Sequence, residues 1–198
     1  MALEGIDGSG KSTQARLLAD ALEERGIAVE RTREPGGTVL GERVRELVLS
    51  GLPGEIGLVA EAHLFAAARA ELMDRVVGPS LTAGRWVVTD RFIDSSLAYQ
   101  GAARGLGIDL VLGINRSAVG SRLPDLSLVI DLPPSLATTR RCASADRIEA
   151  EGDGFQARVA AGYRELARRF PDRVRLVPGE GDVQEVHARV LAAVGIFP

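Results

Sequence analysis

Apolar residues along the chain follow two alternating patterns, which predict helices and strands in turn. Ala15, Leu18 and Leu22 are spaced by three or four residues, as on one face of a helix predicted over Ser12–Arg25. The short apolar run Trp86–Asp90 instead indicates a buried strand. The other predicted strands are Ala2–Leu3, Ile27–Thr32, Leu126–Asp131 and Val174–Val177, and the other predicted helices are Val39–Ser50, Leu58–Ala83 with a bend at Pro79, Ser95–Arg104, Leu110–Val119, one starting at Pro133-Pro134, Phe155–Phe170 and Val183–Val194.

This alternation predicts an α/β fold in a single domain of 198 residues. We expect a central parallel sheet of about five strands with helices on both faces, which is a three-layer sandwich. In such sheets, ligands bind beyond the carboxyl ends of the strands. The charged segment Ala143–Gly154 is predicted to be a mobile loop.

The segment between the first strand and the first helix carries the clearest chemistry. Gly5–Ser12 reads G-x-x-x-x-G-K-S, which is the P-loop pattern, in the strand–loop–helix context that the pattern requires. Its glycines allow successive N–H groups to face an anion at the positive end of the following helix. We predict that Lys11 reaches the β- and γ-phosphates of ATP and that Ser12 binds Mg²⁺. The predicted ATP site comprises Gly5, Ile6, Asp7, Gly8, Ser9, Gly10, Lys11, Ser12 and Thr13.

Lys11 is the one lysine of the chain, since every other strongly basic side chain is an arginine. A planar guanidinium is a poor substitute for a compact ammonium inside a phosphate-binding loop. The lysine at this position therefore supports a functional nucleotide site in a P-loop NTPase fold. Guanine recognition by GTPases uses an Asn/Thr-Lys-x-Asp motif, which needs a second lysine. The sequence therefore excludes a regulatory GTPase and favours an enzyme.

The charge and composition of the chain narrow the range of molecules that it is expected to bind. The net charge of −3 argues against general nucleic-acid binding. The sequence has no run of about 18 apolar residues and no signal-peptide pattern, so we expect no membrane contact and a cytoplasmic location. Cys142 is the single cysteine, and His63 and His187 have no neighbours at ligand spacing. The expected metal is the Mg²⁺ that accompanies ATP.

Four segments, the P-loop among them, resemble bacterial thymidylate kinases, and the resemblance covers nearly the whole chain. They are Glu4–Thr13, Arg33–Thr38 (R-E-P-G-G-T), Asp90–Gly101 (D-R-F-I-D-S-S-L-A-Y-Q-G) and Asp146–Glu149 (D-R-I-E). The resemblance implies transfer of the γ-phosphoryl group of ATP to dTMP, a dTMP-binding region at about 33–105, a mobile lid at about 140–154 and a homodimer formed through the long helices. The P-loop alone leaves open a nucleotide or nucleoside kinase with a different acceptor.

The resemblance also assigns roles in the acceptor site. Arg91 would hold the phosphate of dTMP, with Asp90 near Mg²⁺ and Asp7 directed at the 3′-hydroxyl. Phe65 would stack on thymine, and Arg69 would donate to a thymine carbonyl. The remaining implied contacts are the pocket-wall residues Glu34 and Pro35, the nucleotide-binding Arg45, the base-pocket residues Ser96 and Gln100, and Tyr99 beneath the sugar.

The predicted lid departs from the family pattern. The family keeps a catalytic arginine either in the P-loop or in the lid, and the P-loop position here is Ser9. The lid position where a bacterial relative carries the arginine holds Cys142. We therefore expect Arg141 or Arg147 to be catalytic together with Lys11, Asp7 and Arg91, and Arg140 to contact ATP.

Overall fold

A five-stranded parallel sheet forms the centre of the computed structural model, which describes residues 1–140 and 146–195. The strands are β1 (Ala2–Glu4), β2 (Val29–Arg33), β3 (Trp86–Asp90), β4 (Ser127–Asp131) and β5 (Val174–Pro178), in the spatial order β2-β3-β1-β4-β5. Ala2 pairs with Thr89 on one side and with Ser127 on the other, so β1 is central although it has only three residues. The predicted parallel sheet of about five strands is confirmed.

Helices cover both faces of this sheet. Their bounds are α1 (Lys11–Glu23), α2 (Val39–Leu49), α3 (Leu58–Leu72), α4 (Gly78–Thr82), α5 (Ile93–Ser96), α6 (Ile108–Val119), α7 (Pro134–Thr138), α8 (Asp153–Arg169) and α9 (Val183–Val194). Leu3, Leu18 and Val190 belong to the core between the sheet and helices α1 and α9. Ile93 and Val159 belong to the core on the opposite face. These two cores give the three layers that the alternation predicts.

Two predicted helices contain π-helical turns. The stretch predicted over Leu58–Ala83 runs as α3, a π-helical segment at Met73–Val77, and α4, in which Pro79 is in the first turn. Widening the helix there lets the N–H of Gly78 bond the carbonyl of Met73, just before a residue that has no N–H. The second case is Leu97–Ala103, which continues α5.

The predicted loop at Ala143–Gly154 is shorter than expected at its C-terminal end. Within its described part, Glu149–Glu151 form a 3₁₀ turn and α8 begins at Asp153. Asp146 orders this turn, because its Oδ1 accepts from the N–H groups of Ile148 and Glu149, each at 2.9 Å.

In residues 1–140 and 146–195, every helix is too short or too polar to cross a lipid bilayer.

Candidate active site

The P-loop follows β1, and its backbone adopts conformations that favour glycine. Gly5, Gly8 and Gly10 all have positive φ angles, of 141°, 84° and 92°. A Cβ atom at Gly5 would lie 2.7 Å from Ser9 Oγ and 2.9 Å from the carbonyl oxygen of Ile130. Glycine is therefore required at Gly5 on both conformational and steric grounds.

Lys11 lies inside this loop at the start of α1. Its Nζ is 3.4 Å from the carbonyl oxygen of Ile6 and 3.5 Å from Asp7 Oδ1. Burial and the positive charge of Arg91 lower the pKa of Lys11, while Asp7 opposes them. The ammonium is thus enclosed where an anionic phosphate would compensate for its loss of solvent.

Ser12 and Asp90 provide oxygen atoms that fit a magnesium ion. Both side chains line one depression beside the P-loop. Asp90 Oδ1 is buried and has no hydrogen-bond partner among the described residues. Hydroxyl and carboxylate oxygens are the ligands that Mg²⁺ prefers, with nucleotide phosphates and water completing its shell. The described residues contain no cluster of three His, Cys, Asp or Glu side chains that could hold an ion without a nucleotide.

A second cavity is open to solvent, has an empty volume of about 570 Å³ and includes Asp7 of the P-loop in its wall. Every residue that the sequence predicts for the acceptor nucleotide lines this cavity: Asp7, Glu34, Pro35, Arg45, Phe65, Arg69, Arg91, Ser96, Tyr99 and Gln100. The residues that were not predicted are Leu49, Ser95, Asp146 and Ile148. Ser95 and Asp146 belong to segments that carry the family resemblance and could have been found there, whereas no sequence signal marks Leu49.

Arg91 joins this cavity to the P-loop. Its φ of 70° is unusual for a residue with a side chain. Its Nη1 donates to the carbonyl of Gly5 at 3.0 Å and to Ser95 Oγ at 3.0 Å, while its Nη2 forms an ion pair with Asp7 and donates to Tyr99 OH at 3.1 Å. Contacts from several elements therefore hold the guanidinium at the boundary between the two sites.

Asp7 is the anionic partner of both cations. Burial would raise the pKa of Asp7, but the charges of Arg91 and Lys11 outweigh it and hold that pKa well below its usual range. Tyr99 OH and Gln156 Nε2 add hydrogen bonds to Oδ2, at 3.0 and 3.2 Å. Asp7 is therefore ionised and lies between the predicted ATP-binding lysine and the predicted phosphate-binding arginine.

Glu4 holds Arg91 in place through two hydroxyl groups, a role that the sequence analysis missed. Its Oε2 accepts from Ser95 Oγ at 2.6 Å and from Tyr163 OH at 2.8 Å, and its Oε1 accepts from the N–H of Phe92 at 2.8 Å. Both hydroxyl groups in turn accept from Arg91 Nη1. Burial and the nearby charge of Asp94 raise the pKa of Glu4 to about 7.

Arg69 also lines the cavity, and it is buried with all of its hydrogen-bond donors in use. Its Nε and Nη2 donate to Glu34 Oε2 at 2.8 and 2.6 Å, and Nη2 also donates to the carbonyl of Phe92 at 3.2 Å. Its Nη1 donates to Ser96 Oγ at 3.1 Å and to Asn115 Oδ1. All five N–H groups are engaged, so a base carbonyl would have to share one of these donors.

The wall of the cavity is formed by the segment that follows β2. The Glu34–Pro35 peptide is cis, and Arg45 Nη1 donates to the carbonyl of Pro35 at 3.2 Å. Glu34 Oε1 is buried and unpartnered among the described residues. Burial raises the pKa of Glu34, and Arg69 opposes that rise.

Arg147, one of the two lid arginines predicted to be catalytic, forms a buried ion pair in this structure. Arg147 is 2% exposed, and it donates from Nη2 to Glu61 Oε2 at 2.5 Å and from Nε to the carbonyl of Val48 at 2.8 Å. These contacts join the segment that precedes α8 to α2 and α3, so reaching the ATP phosphates would require Arg147 to exchange its ion pair with Glu61. Arg140 is exposed after α7. Arg141 and Cys142 lie outside the described residues.

Comparisons with known proteins agree with this architecture. A family model described as thymidylate kinase matches residues 3–190. A thymidylate kinase of Pelotomaculum thermopropionicum is 48% identical over 193 residues, covering 96% of this chain and 89% of its own. One from Rhizorhabdus wittichii is 45% identical over 196 residues, covering 97% of this chain and 94% of its own. The crystal structure of thymidylate kinase from Ehrlichia chaffeensis superposes with a TM-score of 0.80 at 34% identity, covering 98% of this chain and 97% of its own.

Proposed function

The chain belongs to the thymidylate kinase family, and we propose that it transfers the γ-phosphoryl group of ATP to dTMP, giving ADP and dTDP. The observation that carries this proposal is the pair of anion sites on either side of Asp7. Lys11 lies on one side in the P-loop, and Arg91 lies on the other in the 570 Å³ cavity. Two fixed cations at one boundary are suited to bring two phosphate groups together.

The chemistry is a problem of electrostatics, because donor and acceptor are both anions. The Nζ of Lys11 and the N–H groups of the P-loop would bind the β- and γ-phosphates of ATP. Arg91 would bind the phosphate of dTMP by exchanging its ion pair with Asp7 for one with the ligand. That exchange would release Asp7 toward the sugar. Such prearranged charges stabilise the transition state for phosphoryl transfer.

The remaining groups would hold ATP and the acceptor in place. Ser12 and Asp90 would hold Mg²⁺ directly or through its waters, and the ion would neutralise charge on the β- and γ-phosphates. Phe65 lines the cavity, where a thymine ring would stack. Tyr99 OH accepts from Arg91 and donates to Asp7, and the sugar would pack beside it. We place this reaction in the cytoplasm, where ATP is available.

Coupled measurement of ADP formation tests the proposed function. With ATP and Mg²⁺, we expect dTMP to give turnover of roughly 1–100 s⁻¹, the usual range for kinases. Without an acceptor we expect far less ADP, because the unfilled cavity admits water but does not order a nucleophile. AMP, dUMP and shikimate serve as alternative acceptors. Turnover with AMP equal to that with dTMP would refute the assignment in favour of another nucleotide kinase.

We further propose that the enzyme is a homodimer. Apolar side chains are exposed on α2, α3 and α6, which pack side by side. They are Val39, Leu40, Leu47, Leu58, Val59 and Leu110, with Val39 77% and Leu47 52% exposed. An apolar face of this kind is typical of a surface that another chain covers.

Sedimentation equilibrium tests the dimer. We expect a mass of about twice the 21.0 kDa of one chain. Leu47→Glu should shift the equilibrium toward the monomer by placing a charge in the apolar face. Leu176→Glu is a matched control, because Leu176 is 40% exposed on β5 and lies outside these helices. A monomeric wild-type enzyme, or equal effects of both substitutions, would contradict this interface.

A further inference from the structure

Glu61 lies in α3, where three donors from separate segments converge on its carboxylate. Its Oε1 accepts from Gln100 Nε2 at 2.9 Å and from Arg104 Nε at 2.7 Å, and its Oε2 accepts from Arg147 Nη2 at 2.5 Å. Burial alone would raise the pKa of Glu61, but these hydrogen bonds lower it below its ordinary value. The group is thus an ionised carboxylate, which accepts hydrogen bonds and cannot donate them.

This carboxylate determines which way the amide of Gln100 faces. An amide carries a donor nitrogen on one side and an acceptor oxygen on the other. Only the nitrogen can face Glu61, so Gln100 Oε1 is directed away from it. Because Gln100 also lines the acceptor cavity, its oxygen is the atom that it offers to a ligand there.

Ser96 supplies the complementary donor. Its Oγ accepts from Arg69 Nη1 at 3.1 Å, which leaves the hydroxyl hydrogen to donate toward the cavity that Ser96 lines. An acceptor at Gln100 and a donor at Ser96 match the N3–H and the C4 carbonyl of thymine. Cytosine has a lone pair at N3 and an amino group at C4, which is the opposite arrangement.

We propose that Glu61 is a positioning residue that sets base specificity: it holds Gln100 with its oxygen toward the base, so that the site accepts a pyrimidine with a proton at N3 and rejects one with a lone pair there. This inference rests on the proposed function, and it concerns a residue that does not itself touch the base. Its consequence is a change in the choice between bases, which a loss of folding stability would not produce.

The test compares dTMP with dCMP in wild-type enzyme and in Glu61→Gln. The new amide can donate as well as accept, so Gln100 is free to turn over. We expect kcat/KM for dTMP to fall about 10- to 100-fold, kcat/KM for dCMP to hold or rise, and the KM for ATP to stay unchanged. The measured quantity is the ratio of the two kcat/KM values.

Arg104→Met is the matched control. It removes one ion pair from the same carboxylate and leaves the bond between Glu61 and Gln100 in place, so it should lower Tm without changing the ratio. Glu61→Asp is the second variant if Glu61→Gln fails to fold, because it keeps the negative charge but shortens the side chain by one methylene, which weakens the contact with Gln100 along with those to Arg104 and Arg147. This variant should also lower the ratio.

An unchanged ratio in a folded Glu61 variant, alongside a lowered Tm, would overturn the inference and make Glu61 a purely structural residue. That result is distinct from failure of the proposed function, in which the wild-type enzyme would itself show no preference for dTMP as acceptor.

Discussion

Arg91→Ala is expected to lower kcat/KM for dTMP by roughly 10³- to 10⁴-fold, because it removes the cation that we propose holds the acceptor phosphate. The Kd for ATP should change little, since we propose that Lys11 and the P-loop amides bind that nucleotide. The substitution also leaves Asp7 without its strongest partner, so the unbalanced carboxylate would repel an incoming phosphate. Steady-state kinetics with each substrate varied in turn, together with ATP titration, measures both effects.

Arg173→Ala is the matched control for the loss of a largely buried arginine. Arg173 forms an ion pair with the buried Asp94 at 2.7 Å, and it lies outside the acceptor cavity. It should lower the free energy of unfolding while leaving the KM for dTMP near the wild-type value. Arg91→Lys should recover only part of the activity, because an ammonium cannot reproduce the forked geometry of a guanidinium. Equal kinetic losses in the Arg91 and Arg173 variants would mean that Arg91 has no specific role in phosphate binding.

Local patterns in the sequence predict the strands and the P-loop, because each depends on residues close together in the chain. The glycines of Gly5–Ser12 allow one backbone path, and that path fixes where Lys11 and Ser12 point. The run Trp86–Asp90 likewise matches β3 at both ends. The sequence predicts one helix over Leu58–Ala83 but not the π-helical turn at Met73–Val77, which directly precedes the turn that contains Pro79.

The missed interactions join residues that are far apart in sequence. Glu4 is bonded to Tyr163, 159 positions away, and Arg147 to Glu61, 86 positions away. The identity of a charged residue within a motif does not show whether its partner is a ligand or another side chain. All three arginines have protein partners: Arg147 is paired with Glu61, Arg69 with Glu34, and Arg91 with Asp7. What distinguishes Arg91 is that its carboxylate partner is also paired with Lys11 of the P-loop.

Glu4 and Glu61 have similar arrangements of hydrogen-bond partners. Each is a buried carboxylate that acts through a second side chain: Glu4 through the hydroxyls of Ser95 and Tyr163, and Glu61 through the amide of Gln100. An ionised carboxylate fixes the direction of a neighbouring donor more strongly than a neutral group would, and Glu4, with its pKa of about 7, does so in its ionised form. Buried carboxylates therefore hold both Arg91, which we propose binds the phosphate, and Gln100, which we propose faces the base.

Arg147→Ala should act on stability rather than on the chemical step. The substitution leaves Glu61 with fewer donors in a buried site, and breaking a buried ion pair costs about 3–5 kcal/mol of unfolding free energy. Denaturant unfolding measures that loss. At temperatures where the variant remains folded, its kcat should stay within about 10-fold of wild type, well short of the loss expected for a phosphate-binding arginine. A loss of kcat by about 10³-fold with unchanged stability would return Arg147 to the catalytic role that the sequence predicts.

With Arg147 held by Glu61, the lid arginine that the sequence calls for is expected to be Arg141. Ser9 occupies the P-loop position that could otherwise supply the charge, so Arg141→Ala should reduce kcat by roughly 10³- to 10⁵-fold with little change in the KM for dTMP. Arg140→Ala is the adjacent control, because it removes the same charge from the neighbouring position and should mainly raise the KM for ATP. Single-turnover kinetics separates a slower chemical step from slower product release. Wild-type kcat in Arg141→Ala would show that Lys11, Arg91 and Mg²⁺ stabilise the transferring phosphoryl group without an arginine from the lid.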